Sequence, residues 1–298
     1  MDNQIENQVE VQPKKQKSGK GLIPVVVILV LLVLGLVGYI VYDKVFTNEI
    51  KEPDKTEIKE ETVKSENLDV SSNEVVTLFN EVNNLSKNSH SDAYYGYLYK
   101  QNKLDIKDMS DDLIIAVGIY DEHENCLNNY DSCLQTTPGN EVGYFVIDGT
   151  KVQNNIKKIF GDINYNNVKI NNLDCTGDYE YDNNSKLYKA TAPACGYAGD
   201  GNLLETRIVK AVKNSNSIDI YVKVAFEHYI LESDANGNDT SMRYVYSDLG
   251  QKNEVYKIKQ TEYDFNTILE KYGDKLDTYK LHYENENGEY HFKNVTKQ

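Results

Sequence analysis

The sequence predicts an α+β domain, about four helices packed on a curved and mainly antiparallel sheet, behind one N-terminal transmembrane helix. Three patterns carry this prediction. Residues 22–42 (LIPVVVILVLLVLGLVGYIVY) hold no charge. Apolar residues at helical spacing gather between 71 and 160, and apolar residues at period two dominate after 161. Helices first and strands later make an α+β rather than an alternating α/β architecture.

The apolar run would form a helix of about 31 Å, close to the thickness of a bilayer's hydrocarbon core. A cleaved signal peptide has a shorter apolar region and ends in a small-residue cleavage site, which is missing here. A lipidated cysteine would end the run, but the first cysteine is Cys126. Lys14, Lys15, Lys17 and Lys20 crowd the N-terminal flank, and only Lys44 follows immediately. The positive-inside rule therefore puts residues 1–21 in the cytoplasm and 43–298 outside. Residues 1–21 read as a disordered basic tail and 22–42 as a signal anchor. Residues 43–70, dense in Lys and Glu and holding Pro53, read as a flexible spacer, and 71–298 as the extracytoplasmic domain.

The first helix starts at Ser71-Ser72-Asn73-Glu74, which matches a capping box. Val75, Leu78, Phe79, Val82 and Leu85 follow on one face. A second helix starts at Ser110, with Asp111 and Asp112 favouring its N-terminus, although its apolar run also suits a buried strand. GYFVID (143–148) reads as a strand. A helix over 150–160 places Val152, Ile156, Ile159 and Phe160 together and stops at Gly161. Short strands are expected at 167–173, 177–182 and 186–192. The clearest strand is 217–230, where Ile218, Ile220, Val222, Val224 and Phe226 alternate with Asp219, Tyr221, Lys223, Ala225 and Glu227. It pairs with 205–213, and strands at 241–247 and 252–259 follow. A helix over 262–272 precedes a closing hairpin that turns at Asn287-Gly288.

In this order of elements the chain resembles the cone-shaped NTF2-like arrangement, extended by a terminal helix and hairpin. The resemblance implies a sheet cupping the helices and carries no functional motif.

The chain of 298 residues has a formal net charge of −15, with −16 on the residues after the apolar run and +1 before them. An acidic exterior excludes nucleic acid as a partner, because phosphate binding needs clustered cations. Arg207 and Arg243 are the only arginines and tryptophan is absent. With the anchor, this lysine-rich composition points to a bacterial cell envelope. Four cysteines, Cys126, Cys133, Cys175 and Cys195, read as two disulfides on the oxidising side. Cys126–Cys133 and Cys175–Cys195 each close a local loop. The alternative is a metal site of His123, Cys126 and Cys133, although C-x6-C is not a usual zinc spacing.

No residue pattern points to catalysis or to a cofactor: G-x-S-x-G, S-x-x-K and H-E-x-x-H are missing, and acid pairs are too common to single out. Asp234, Asn236, Asn238 and Asp239 resemble the start of a calcium loop. However, Asp239 and Val245 stand where an EF-hand needs Gly and Glu, so a turn is the competing reading. Tyr94, Tyr95, Tyr97 and Tyr99 form an aromatic cluster suited either to the core or to an interaction surface. The loop 196–201 lacks a phosphate-cradle spacing, and Tyr197 and Asp200 are its candidate contact residues.

The expectation is a non-catalytic binding or interaction module of the envelope, its partners the lipid bilayer through 22–42 and an envelope protein or cell-wall polymer. The alternatives are a hydrolase acting on cell-wall glycan or peptide with an acidic site, and a structural subunit of an envelope complex. Protease treatment of intact cells stripped of wall should digest the C-terminal domain. A domain that survives in sealed cells overturns the orientation.

Overall fold

Strand β8 (Ser217–Ile230) is the spine of the domain. Its alternation from Ile218 to Val224 buries one face completely, as expected of a half-buried strand. A computed structural model describes residues 65–298 apart from 89–90, 92, 175 and 194–200. All of these belong to one unit spanning Thr62–Gln298. The tail, the 22–42 run and most of the spacer lie outside the described residues. Among the described residues no helix is long and apolar enough to cross a membrane.

The larger sheet has eight antiparallel strands. Its path runs β1 (Glu66–Leu68), β7 (Gly201–Asn214), β8, β11 (Asp277–Glu286), β12 (Glu289–Lys297) and β2 (Lys103–Asp105). One edge of β8 carries β7 along its whole length. The other edge forks: β11 pairs with residues 217–224, and β9 (Met242–Tyr246) pairs with 226–230. β9 in turn pairs with β10 (Glu254–Lys259). A smaller antiparallel sheet has the order β3 (Leu134–Thr137), β4 (Asn140–Asp148), β6 (Leu187–Thr191) and β5 (Glu180–Asp182).

Among the described residues, five helices accompany the sheets. These are α1 (Asn73–Ser86), α2 (Asp111–Asn128), the single turn α3 (Tyr130–Cys133), α4 (Gly149–Phe160) and α5 (Phe265–Tyr272). α1 and α4 pack on β12, and α2 packs on α1, α4 and β4. α2 is thus enclosed between the helices and the smaller sheet. Its run Ile114–Ile119 is buried on every side, which is why periodicity alone did not separate helix from strand. Gly118 lets α4 approach: a Cβ there would meet Ile156 Cγ1 at 2.3 Å. α5 covers the other face of the fork with Phe265 and Ile268, over Ala225, Val245 and Leu276.

The α+β expectation holds, with five helices and two sheets in place of about four helices and one sheet. The extra helix is one turn between Cys126 and Cys133, whose disulfide spans a Cα–Cα distance of 5.4 Å. The cap of α1 is Ser72, which accepts from Val75 N, while Ser71 turns back to Asp69. β1 pairs with β7, so regular structure begins inside the segment read as spacer. The terminal hairpin is no appendage, because β11 and β12 occupy the middle of the large sheet. Over 161–179 the expected strands shrink to one bridge, Ile170 with Tyr179. Backbone amides there donate to side chains in place of a ladder, that of Asn171 to the Tyr94 hydroxyl and that of Asn172 to Asp178 Oδ1.

Gly118→Ala should destabilise the domain by about 1–3 kcal/mol, because the methyl must push α2 from α4. Urea unfolding measures this, and an unchanged midpoint would show that Ile156 yields freely.

Candidate functional site

The outward face of the smaller sheet forms a cleft of about 720 Å3. Alternation sorts its residues. Phe145 and Ile147 of β4 and Tyr188 and Ala190 of β6 point into the core. Tyr144, Val146, Lys189 and Thr191 point outward and line the cleft. β5 places Glu180 opposite Lys189 and adds Asp182. Lys169 and Asp178 complete the wall and pair at 2.7 Å. Lys189 lies 3.3 Å from Asp182. That carboxylate also caps its own turn, accepting from Ser185 Oγ and from the Asn184 amide, which holds its pKa below the ordinary carboxylate range. A second hollow of about 520 Å3 adjoins, and Tyr181 lines both. Val142, Tyr144 and Tyr130 are the exposed large apolar side chains at this end. The cleft thus presents rings, lysines and carboxylates together.

A carboxylate with a raised pKa lies elsewhere. Glu227 follows Phe226 on β8, opposite the β9 branch, and is fully buried. Arg243 Nη1 donates to its Oε2 at 2.9 Å, and the Tyr263 hydroxyl donates to its Oε1. The Arg243 guanidinium sits 3.8 Å from the centre of the Tyr263 ring and donates through Nε to Gln260. Burial outweighs these bonds and pushes the Glu227 pKa to about 7. Glu227 lines neither cleft. Its surroundings are those of an ion pair sealed into the fold.

A third cluster sits behind the smaller sheet. His123 of α2 is fully buried, with Nδ1 2.8 Å from the Tyr179 hydroxyl and Nε2 3.4 Å from Asp174 Oδ2. Glu124 joins them. One ligand atom from each of His123, Glu124 and Asp174 lies within 4.8 Å of the others. Burial, then the Asp174 charge, raises the Glu124 pKa against the hydrogen bond from Tyr120.

The structure corrects several readings of candidate residues. Tyr94, Tyr97 and Tyr99 are buried and Tyr95 half-buried, so they make no interaction surface. Their hydroxyls are spent inside: Tyr95 donates to Leu203 O, Tyr97 to Val82 O and Tyr99 to Asn83 Oδ1, while Tyr94 accepts from the Asn171 amide. Burial pushes the Tyr94 pKa to about 12. The calcium candidates Asp234, Asn236, Asn238 and Asp239 lie in a turn. Asp234 accepts from the amides of Asn236 and Asn238, and Asp239 from that of Ser241. The disulfide removes Cys126 and Cys133 as metal ligands beside His123. Cys175, Cys195, Tyr197 and Asp200 lie outside the described residues. Sequence reasoning missed the cleft, Glu227, Glu124 and Asp174. The signal for Glu227 was a charged residue in the most apolar strand.

No family model matches the chain, and neither a curated protein nor a solved structure matches it.

A carboxylate whose pKa is raised on folding adds stability in its protonated form, and that contribution is lost as the pH climbs through the folded value. The wild-type domain should therefore lose stability between its ordinary 4.5 and about 7, relative to Glu227→Gln. Urea midpoints across that range test this, and parallel profiles would refute it. Glu227→Ala should cost about 3–5 kcal/mol by leaving Arg243 buried and unpaired.

Proposed function

We propose that the chain is a single-pass membrane protein of a bacterial cell envelope, anchored by residues 22–42, whose extracytoplasmic domain binds a ligand without catalysis. The carrying observation is the open cleft on the smaller sheet, where Tyr144, Lys169, Asp178 and Lys189 present a ring, donors and acceptors together. Two lysine–carboxylate pairs in its walls suit a ligand bearing both charges, such as a peptide-bearing cell-wall polymer or a segment of an envelope protein. The Cys126–Cys133 disulfide supports an oxidising compartment. The NTF2-like arrangement belongs to this proposal as a reading of the large sheet with α1, α2 and α4.

The hydrolase reading needs a proton-donating carboxylate beside a second one in a cleft; Asp178 and Asp182 of the cleft are each paired with a lysine, and the raised acid Glu227 is enclosed between Arg243 and Tyr263. The structural-subunit reading is favoured by one observation, the exposed Tyr130, Val142 and Tyr144 at one end of the domain.

The test is retention of the detergent-solubilised full chain on purified cell wall. Tyr144→Ala combined with Lys189→Ala should lower the affinity about 10-fold or more, while the control Val209→Ser on the large sheet should leave it unchanged. Raising the salt should also weaken retention, because the lysines are exposed. Equal retention of the double variant overturns the cleft. Retention by a co-purified envelope protein in place of wall favours the structural subunit.

A further inference from the structure

The His123 cluster carries chemistry that neither the cleft nor the fold uses. His123 is 0% exposed, and its Nε2 is buried without a hydrogen bond among the described residues. Its Nδ1 is engaged by the Tyr179 hydroxyl at 2.8 Å. When Nδ1 carries the proton and donates it there, Nε2 is left with a lone pair. That lone pair faces Asp174 Oδ2 at 3.4 Å and the neighbouring Glu124 carboxylate. A lone pair aimed at two anions in a buried place is repulsive unless a cation lies between them.

We propose that His123 Nε2, Glu124 and Asp174 bind a divalent transition-metal ion of the zinc class. The donor set is one imidazole and two carboxylates, which suits such an ion better than calcium or magnesium, whose ligands are oxygens. Ligand atoms already within 4.8 Å of one another need to close to about 3.3 Å around bonds of about 2.0–2.2 Å. Glu124 and Asp174 are half-buried, and side-chain rotation supplies that movement. The surroundings supply the outer shell: Tyr179 orients the imidazole, Tyr120 bonds Glu124, and Asn88 Nδ2 donates to Asp174 Oδ2 at 3.2 Å. The nearby sulfurs of Cys126 and Cys133 are bound to each other and stay out of the site. Three protein ligands leave a fourth position for water or for a partner's side chain. The ion would tie α2 to the loop that carries Asp174, directly behind the smaller sheet, where the imidazole meets Phe145 edge-on. The proposal does not depend on what the cleft binds.

The test titrates Zn2+ alone into the full chain in detergent, stripped with chelator and kept non-reducing, by calorimetry. One ion per chain should bind. Glu124→Gln and Asp174→Asn should each weaken it at least about 10-fold, with near-UV circular dichroism in chelator confirming that the variants are folded. Co2+ in place of Zn2+ should give visible absorption that both variants diminish. Binding of wild type weaker than about 1 mM overturns the site and leaves His123 in a simple ion pair with Asp174. Undiminished affinity in both variants also overturns it, by placing the ion elsewhere.

Discussion

The domain depends on one strand having to bury one face along half its length and both faces around Ala225–Glu227. Up to Val224, β8 lies between β7 and β11, with its apolar side against the helices. From Phe226 onward its partner is β9, and α5 closes over the side that had been polar. Ala225, Phe226 and Glu227 are consecutive and all buried, which a one-faced strand does not allow. Ala225 is small enough to sit beneath Val245 and Phe265. Glu227 is tolerated because Arg243, from β9, and Tyr263, just ahead of α5, arrive with the elements that bury it. Removing any of these would leave a charge in an apolar place, a cost comparable to much of a domain's net stability.

Tyrosine does in this domain what larger aromatic residues do elsewhere. Each buried ring brings a hydroxyl that must find a partner. Four of these hydroxyls become ties between distant parts of the chain. Tyr97 and Tyr283 donate to carbonyls of α1, Tyr99 to Asn83 of the same helix, and Tyr279 to the carbonyl of Tyr99. α1 is therefore held to the large sheet by directed bonds as well as by Val75, Phe79, Val82 and Leu85. The segment 94–99 looks like an adhesive patch in one dimension and is a set of pins in three.

Wherever a residue's neighbours in sequence are also its neighbours in space, the sequence reading was close. α1, α4 and α5 follow from apolar spacing and Gly or Ser punctuation, and the Asn287-Gly288 hairpin follows from turn chemistry. The Cys126–Cys133 bridge follows from its short loop. The reading loosened after Gly161, where the amides of Asn171 and Asn172 bond to the side chains of Tyr94 and Asp178 rather than to a neighbouring strand. It failed at the site-like clusters, whose members come from far apart: Asp174 and Tyr179 reach His123 only because the loop before β5 folds under the smaller sheet. The cleft is equally remote from any motif, since it is made by four strands and a loop whose outward residues are mostly ordinary polar ones.

By itself the sequence determined the α+β class, the period-two spine, most helices, the local disulfide and an uncharged run long enough to span a bilayer. These rest on local periodicity, turn chemistry and run length, which need no knowledge of packing. Only the tertiary structure decided that the tyrosines are internal, that β11 and β12 lie mid-sheet, and that Glu227 is enclosed. It also decided that His123 meets Glu124 and Asp174. Those outcomes depend on which face of an element another element covers. Burial of a polar group is a property of that covering, and the strand that carries Glu227 reads the same in sequence whether or not α5 closes over it.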